Sequence, residues 1–336
     1  MAIPGSGQIS ISNIVTEFGG SPPNSMSQYY RDGGRVPGNN TNVPTSGLIR
    51  LSNFYGAVNE ISVTLTSSAS VNAQTAFGAN WTSAVPKRLI VPTGVTIGPL
   101  TIPSGMSGTL EVDVTGEVQG TGGTANSGAG GNAITSSTSF TLNVLTGGAV
   151  RGGGGGGGVG GTGGGGSFTS TTTQGPFEYL GVYQWESNGI ARWAGAAIFL
   201  GSPFNSPVSN GGFTYFRGDQ FYNDGEGGVF YAISRTFQTT TNTDGGAGGA
   251  GGRGRGYAQT PLGGSAGSAG GTNAGTGGTG GSGAEWGLAG ATGATGASGN
   301  RTAGFAGSAG GAAGRAVLMS AGTLTLNNSG TINGAT

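Results

Sequence analysis

The sequence predicts a mainly β protein with little helix. It divides into a small N-terminal α+β module, a β-sandwich or β-solenoid section, and a block of packed polyglycine II helices. Three observations lead there. Glycine supplies 79 of the 336 residues and recurs at every third position in long runs. Short alternating strands, split by Pro- and Gly-containing turns, occupy residues 59–118. Helix start and stop signals occur within the first 58 residues.

The glycine pattern comes first because it decides the rest. Residues 245–315 contain 29 glycines, among them Gly287, Gly290, Gly293, Gly296 and Gly299 on one strict period of three. Gly264, Gly267 and Gly270 repeat the period, as do Gly275, Gly278 and Gly281, and Gly304, Gly307 and Gly310. A first tract, residues 152–166, is almost pure glycine. A flexible linker needs no period and usually carries solvating Ser, Glu or Lys. These tracts fill the gaps with Ala, Thr and Ser and carry few charges. A left-handed extended helix has three residues per turn. Glycine at every third place leaves one edge bare, so neighbouring helices can approach and pair their N–H and C=O groups. The breaks at Asn273-Ala274 and Glu285-Trp286 are expected turns between packed segments. Flexible linkers and a collagen-like trimer are the rival readings. Against collagen, the run over 287–299 holds four triplets and no proline.

Composition bounds the chemistry. Charged residues make up 8% of the chain and the net charge is zero, which argues against nucleic acid or an anionic membrane as a main partner. There is no Cys and no His. Disulfides, Cys/His zinc sites and a catalytic histidine are excluded, and no cofactor, metal or enzymatic activity is expected. The first residues lack the basic start and apolar run of a signal peptide. No apolar stretch reaches 18 residues, so no transmembrane helix is expected.

In chain order, residues 1–58 read as an attachment-sized module, marginal alone. Ser12 is the expected N-cap of a helix that Gly19-Gly20 ends, and Ser25 to Arg31 forms a second short helix. The phrase Ser6-Gly7-Gln8-Ile9-Ser10-Ile11-Ser12-Asn13 returns as Ser46-Gly47-Leu48-Ile49-Arg50-Leu51-Ser52-Asn53. Residues 59–150 form a β domain, with Ile61, Val63 and Leu65 on one face of its first strand. A weak repeat, G-x-[VI]-x-G, occurs at 116–120, 148–152 and 330–334, each time after an alternating strand. Gly131-Asn132-Ala133-Ile134 likewise matches Gly314-Arg315-Ala316-Val317. Similar β elements therefore bracket the glycine block of 151–166 and 244–315 as a platform would, with further strands over 316–336.

Residues 167–243 change character and hold sixteen of the 27 aromatics. Part of these rings fill the core of an inserted β unit, and the surplus suits a recognition surface, where aromatics concentrate. The candidate contact residues are Tyr179, Tyr183, Trp185, Trp193, Tyr215, Phe216, Tyr222 and Tyr231, with Tyr257, Trp286 and Phe305 in shorter breaks of the tract. Signals for other chemistry are poor. Asp219, Asp224 and Glu226 lack calcium-loop spacing. Glu178 and Glu186 form no more of a carboxylate pair than chance gives. Arg253 and Arg255 are a weak RNA signal. Glu111, Asp113 and Glu117 read as a solvated face.

Ile3-Pro4, Ser6-Gly7, Ile9, Ile11-Ser12 and Ile14, followed by Tyr29-Tyr30-Arg31 and Leu51-Ser52-Asn53-Phe54-Tyr55-Gly56, resemble the N-terminal segment of tailed-phage tail fibre and tail tip proteins. That resemblance implies attachment to other tail or baseplate proteins through residues 1–58. The triplet glycines with interleaved segments over about 150–315 are similar to the receptor-binding adhesins at the tips of long tail fibres. This second resemblance implies a virion protein exposed to the host exterior, a host surface glycan or outer-membrane protein as partner, and a homotrimer as one possible assembly. A baseplate, tail tip or capsid-surface component without a receptor is the alternative, and a non-viral glycine-rich surface or ice-binding protein is a third.

Overall fold

The computed structural model describes residues 3–32, 34–38, 40–177, 190–193, 196–199, 207–223 and 229–336, with side chains outside 176–206 and 220–231. It is mainly β with little helix, as the sequence predicts.

The N-terminal unit packs around Ile14, Phe18, Tyr29, Val36, Val43 and Phe54. Helix α1 (Ile11–Phe18) starts at Ser10, not at Ser12. Ser10 is extended and its hydroxyl accepts the Asn13 N–H, while Ser12 is already inside the helix. The second helix is a short 3-10 turn, Met26–Tyr29, capped by Ser25. The repeated phrase encodes repeated geometry. Asn13 Oδ1 accepts the Ser10 N–H at 2.8 Å, and Asn53 Oδ1 accepts the Arg50 N–H at 2.8 Å. The hydroxyls of Tyr55 and Tyr30 donate to the carbonyls of Gly7 and Gly47, which are equivalent positions in the two copies. The β content of this unit, among the described residues, is one isolated bridge between Arg31 and Val36.

The next section is a β-solenoid with three parallel sheets. Its first sheet stacks β1 (Ile61–Thr64), β3 (Lys87–Val91), β6 (Leu110–Val114), β9 (Phe140–Val144) and β18 (Leu324–Asn328). The second stacks β4 (Thr96–Ile97), β7 (Glu117–Gln119), β10 (Ala149–Arg151) and β19 (Thr331–Asn333). The third stacks β2 (Val71–Asn72), β5 (Leu100–Ile102), β8 (Ile134–Ser136) and β17 (Val317–Met319). Residues align between rungs: the buried Leu89, Val112 and Leu142 in one row, which the exposed Leu326 ends, and Ile97, Val118, Val150 and Ile332 in another. The three G-x-[VI]-x-G phrases are therefore successive strands of one sheet. Gly116 and Gly148 tolerate no side chain, since an added Cβ would meet a carbonyl oxygen of the preceding rung at 2.3 and 2.0 Å. Helix α2 (Ala73–Phe77) and the 3-10 turn after it bring Phe77 and Trp81 into the same core beside the first rungs. Strands of 316–336 pair with those of 59–150, so these two stretches form one body.

On the outer face, Arg88 joins Glu60, Glu111 and Asp113 at 3.0, 3.0 and 2.7 Å. Burial lowers the Arg88 pKa, but the hydrogen bonds and charges of Glu60 and Asp113 outweigh it and hold the guanidinium above its ordinary value. Asn143 donates to Asp113 and Asn327 to Asn143, a side-chain ladder across three rungs. Glu111 and Asp113 are thus a paired face rather than merely a solvated one.

The glycine tracts are ordered into packed extended segments held by bonds between segments. Two insertions build the block, and both leave the solenoid between its second and third sheets. A hairpin of residues 120–132 lies between β7 and β8, and the long insertion lies between β10 and β17. The central segment, 152–165, has six neighbours. Gly154, Gly157, Gly160 and Gly163 donate to 246–255, and Gly155, Gly158, Gly161 and Gly164 donate to 288–297. Gly153 and Gly156 donate to Gly131 and Gly128 of the hairpin. The segment in turn accepts from Gly123 and Ser127 of the hairpin, from the segment starting at Gly275, and from the one starting at Thr302. Each neighbour also bonds the next, closing a ring, and residues 262–271 pack outside it.

The glycine count per triplet reports the number of packed faces. The central segment is packed on all three and is nearly pure glycine. Segments 245–254 and 275–283 are packed on two faces and carry two glycines per triplet. There Ala247, Ala250, Arg253, Thr276, Thr279 and Ser282 point to solvent. Segment 288–299 keeps Gly290, Gly293 and Gly296 inward and exposes the pairs between them. Val159 and Thr162 are the exceptions in the central segment. They fall on the face of Gly153 and Gly156, beyond the point where the hairpin turns back at 125–127, so space is open for a side chain.

Candidate functional site

The glycine block has two ends. The solenoid end carries the turns at 256–260 and 285–288. The far end carries the turns at 271–274 and 299–302 and the departure of the aromatic insert. The central segment runs directly into β11 (Gly166–Phe177), and β16 (Val229–Thr243) returns into the neighbouring segment. Adjacent glycine helices thus become adjacent antiparallel strands, with Gly166 opposite Thr243.

The far turns clamp this handover. Asn300 Oδ1 accepts the Ser167 N–H at 2.8 Å and its Nδ2 donates to the Ser167 carbonyl at 2.9 Å. Asn273 Nδ2 donates to the same carbonyl at 3.0 Å. The Thr243 hydroxyl donates to Thr272 O at 2.7 Å, and Thr302 Oγ1 accepts the Gly165 N–H at 2.7 Å. Residue-type reasoning missed Asn273 and Asn300 as functional supports. Their signal is the broken triplet at Gly271-Thr272-Asn273-Ala274 and Gly299-Asn300-Arg301-Thr302.

The insert sheet has the order β11, β16, β15 (Phe213–Asn223), β14 (Val208–Asn210), all antiparallel, and a separate hairpin pairs β12 (Ile190–Trp193) with β13 (Ala196–Phe199). Its described packing centres on Phe213, whose ring lies 5.4 Å from Phe237 and 6.2 Å from Tyr215, with the Arg235 guanidinium 3.9 Å over it. The base, where only β11 and β16 pair, is rich in exposed Thr.

The candidate contact residues separate in space. Tyr179, Tyr183 and Trp185 lie outside the described residues, as do Glu178, Glu186, Asp224 and Glu226. Trp193, Tyr222 and Tyr231 stand in strands of the insert. Phe216 is half-buried, but Tyr215 is only 2% exposed, so its ring serves the sheet and is not offered to a partner. Phe305 is 62% exposed on the flank of the block. Tyr257 and Trp286 are at the opposite, solenoid end. The Tyr257 N–H donates to Gly120, and Trp286 lies 5.6 Å from Arg255, which pairs with Glu285 at 2.9 Å. Among the described residues no group of acids is arranged to hold a metal. The site offers hydrogen-bonding amides, hydroxyls and rings, which is the chemistry of binding.

Among solved structures the chain is similar to the gp37-gp38 adhesin tip complex of the bacteriophage S16 long tail fiber, at 18% identity, 96% coverage of both chains and a TM-score of 0.36. No curated protein matches. Residues 60–228, just over half of the sequence, match the model of the phage tail fibre adhesin Gp38. That match takes in the solenoid strands β1 to β10, the central glycine segment and most of the aromatic insert, and the chain belongs to the phage tail fibre adhesin Gp38 family.

Proposed function

We propose that the chain binds a host cell-surface receptor through the far end of its glycine block and joins the phage tail through residues 1–58. The observation that carries this reading is the handover at Gly166 and Thr243. The aromatic insert leaves the densely bonded glycine block, at the end away from the solenoid, on two bonded strands clamped by Asn273 and Asn300. Surfaces held in place before binding lose less conformational freedom on binding. The receptor is a surface glycan or an outer-membrane protein. The contact residues are Tyr179, Tyr183, Trp185, Trp193, Phe216, Tyr222 and Tyr231, with Phe305 at the flank.

Competition tests it. Purified protein should reduce phage adsorption to host cells in a dose-dependent way. The double variant Trp185→Ala/Trp193→Ala should lose at least about tenfold in competition, the scale of two truncated aromatic anchors, with an unchanged thermal midpoint. A wild-type protein that never competes would make the chain a structural tail component without a receptor of its own.

A further inference from the structure

We infer that the outer edge of β11, from Thr169 to Thr173, is a strand-addition site that takes a short extended segment of a host surface protein; this rests on the receptor-binding reading and names the receptor's chemistry. β11 pairs only with β16 among the described residues, so one side of it is an edge. Ser167 shows which main-chain groups face outward. Both its N–H and its C=O bond the Asn300 side-chain amide, which occupies the place of a neighbouring peptide. Outward and inward pairs alternate along an antiparallel strand. The register is regular from Gly166 to Gln174, so Thr169, Thr171 and Thr173 turn their N–H and C=O outward as well. Among the described residues these main-chain groups have no partner on that side, and positions 169–173 are exposed.

Natural edges are usually blunted by charge, proline or a bulge. β11 is blunted at both ends and open between them. Asn300 covers Ser167, and the register breaks between Gln174 and Phe177, where Pro176 also removes a donor. No charged residue stands between, and the window is Thr-Ser-Thr-Thr-Thr, of high β propensity. Three outward positions suit a strand of about five residues, and main-chain pairing of this kind binds extended peptides while tolerating varied side chains. A glycan has no backbone to match this spacing, which favours a protein loop.

The test uses the full chain and outer-membrane vesicles from the phage's host strain, native or protease-shaved. Wild-type protein should bind native vesicles and lose binding to shaved ones. Hydrogen exchange at Thr169, Thr171 and Thr173 should slow at least about tenfold in the bound state. Thr171→Pro removes one outward donor without touching the internal ladder, a position where edge strands accept proline. It should weaken vesicle binding at least about tenfold with an unchanged thermal midpoint. Thr169→Lys/Thr171→Lys, which guards the edge with charge, should do the same should the proline variant unfold. Unchanged exchange on binding, or wild-type binding by the folded variants, overturns the strand-addition site and leaves the receptor reading standing. Equal binding to shaved vesicles overturns the protein-loop assignment. Protection that rises with protein concentration in the absence of vesicles assigns the edge to a second copy instead. A wild-type protein that binds no vesicles removes the receptor reading and this inference with it.

Discussion

Gly157 and Thr162 lie on the same central segment and obey opposite rules. A Cβ on Gly157 would sit 1.8 Å from the Gly281 carbonyl oxygen, so backbone must move. Glycine-to-alanine changes often stabilise slightly by restricting the unfolded chain, but here overpacking decides. Gly157→Ala should cost about 3 kcal/mol or more, whereas Thr162→Ala, at an exposed position, should stay within about 0.5 kcal/mol; chemical denaturation of both variants checks the contrast. Lys87 is the other residue whose environment sets its role. It takes an inward position in β3, opposite Ile61 and Leu110, and is 1% exposed. Its ammonium donates to the carbonyls of Ser83, Val85 and Ser107 at 2.5, 3.0 and 2.8 Å. Burial lowers its pKa below the ordinary 10.5. The unfolded chain therefore holds this proton to higher pH than the folded one. The resulting penalty applies below the folded pKa and is relieved as pH rises through it toward 10.5. Lys87→Met should destabilise by about 2 kcal/mol at neutral pH, because three carbonyls lose their donor. Its deficit relative to wild type should widen as pH is raised from 7 toward 10, as read by urea unfolding at each pH.

The elements divide by what their sequence could say. The solenoid was legible in outline because its rungs repeat: Val118, Val150 and Ile332 stand in the same phrase and in the same row of one sheet. The glycine block was legible because steric exclusion writes itself as glycine, one per triplet for each packed face. The hairpin at 120–132 was not, since its arms are too short to establish a period, and the block is larger by that hairpin than the tracts at 151–166 and 244–315. The contact list was legible only as composition. Aromatic clustering cannot distinguish Tyr215, which fills the insert sheet, from exposed Phe305, nor place Tyr257 and Trp286 at the solenoid end. Ser10 and Ser12 are alike in sequence, each shortly before an apolar residue, and what makes Ser10 the cap is its extended backbone, which residue type does not display. The clamp gives the prediction at this scale. Asn300→Ala removes two bonds to Ser167. It should cost about 1–2 kcal/mol locally, raising hydrogen exchange at Ser167 at least about fivefold while leaving exchange in 155–164 unchanged, because that segment's partners are all elsewhere.

At the scale of the molecule, solenoid and glycine block should unfold as one cooperative unit. Four chain crossings join them, and they bond to one another: Gly120 to Arg151, Gly131 to Thr121, Gly153 to Gly131, and Gly314 to Gly153. The rung order of the solenoid thereby passes into the packing order of the block. The block holds little apolar material of its own, and its contacts are backbone bonds that water would also satisfy. Its stability must then lean on the fixed spacing that the solenoid imposes at the crossings. Val112 tests this dependence. It is fully buried in the solenoid core, in a row with Leu89 and Leu142. Val112→Ala should destabilise the solenoid by about 2 kcal/mol through the cavity it leaves. In a single cooperative unit the amide of Gly161, bonded to Ala294 deep in the block, opens only with the whole. Its exchange should then accelerate by about the same factor as the Leu142 amide, roughly 30-fold for 2 kcal/mol. An accelerated Leu142 beside an unchanged Gly161 would mean that the block folds independently, and that its glycines alone, without the solenoid, hold the display platform rigid.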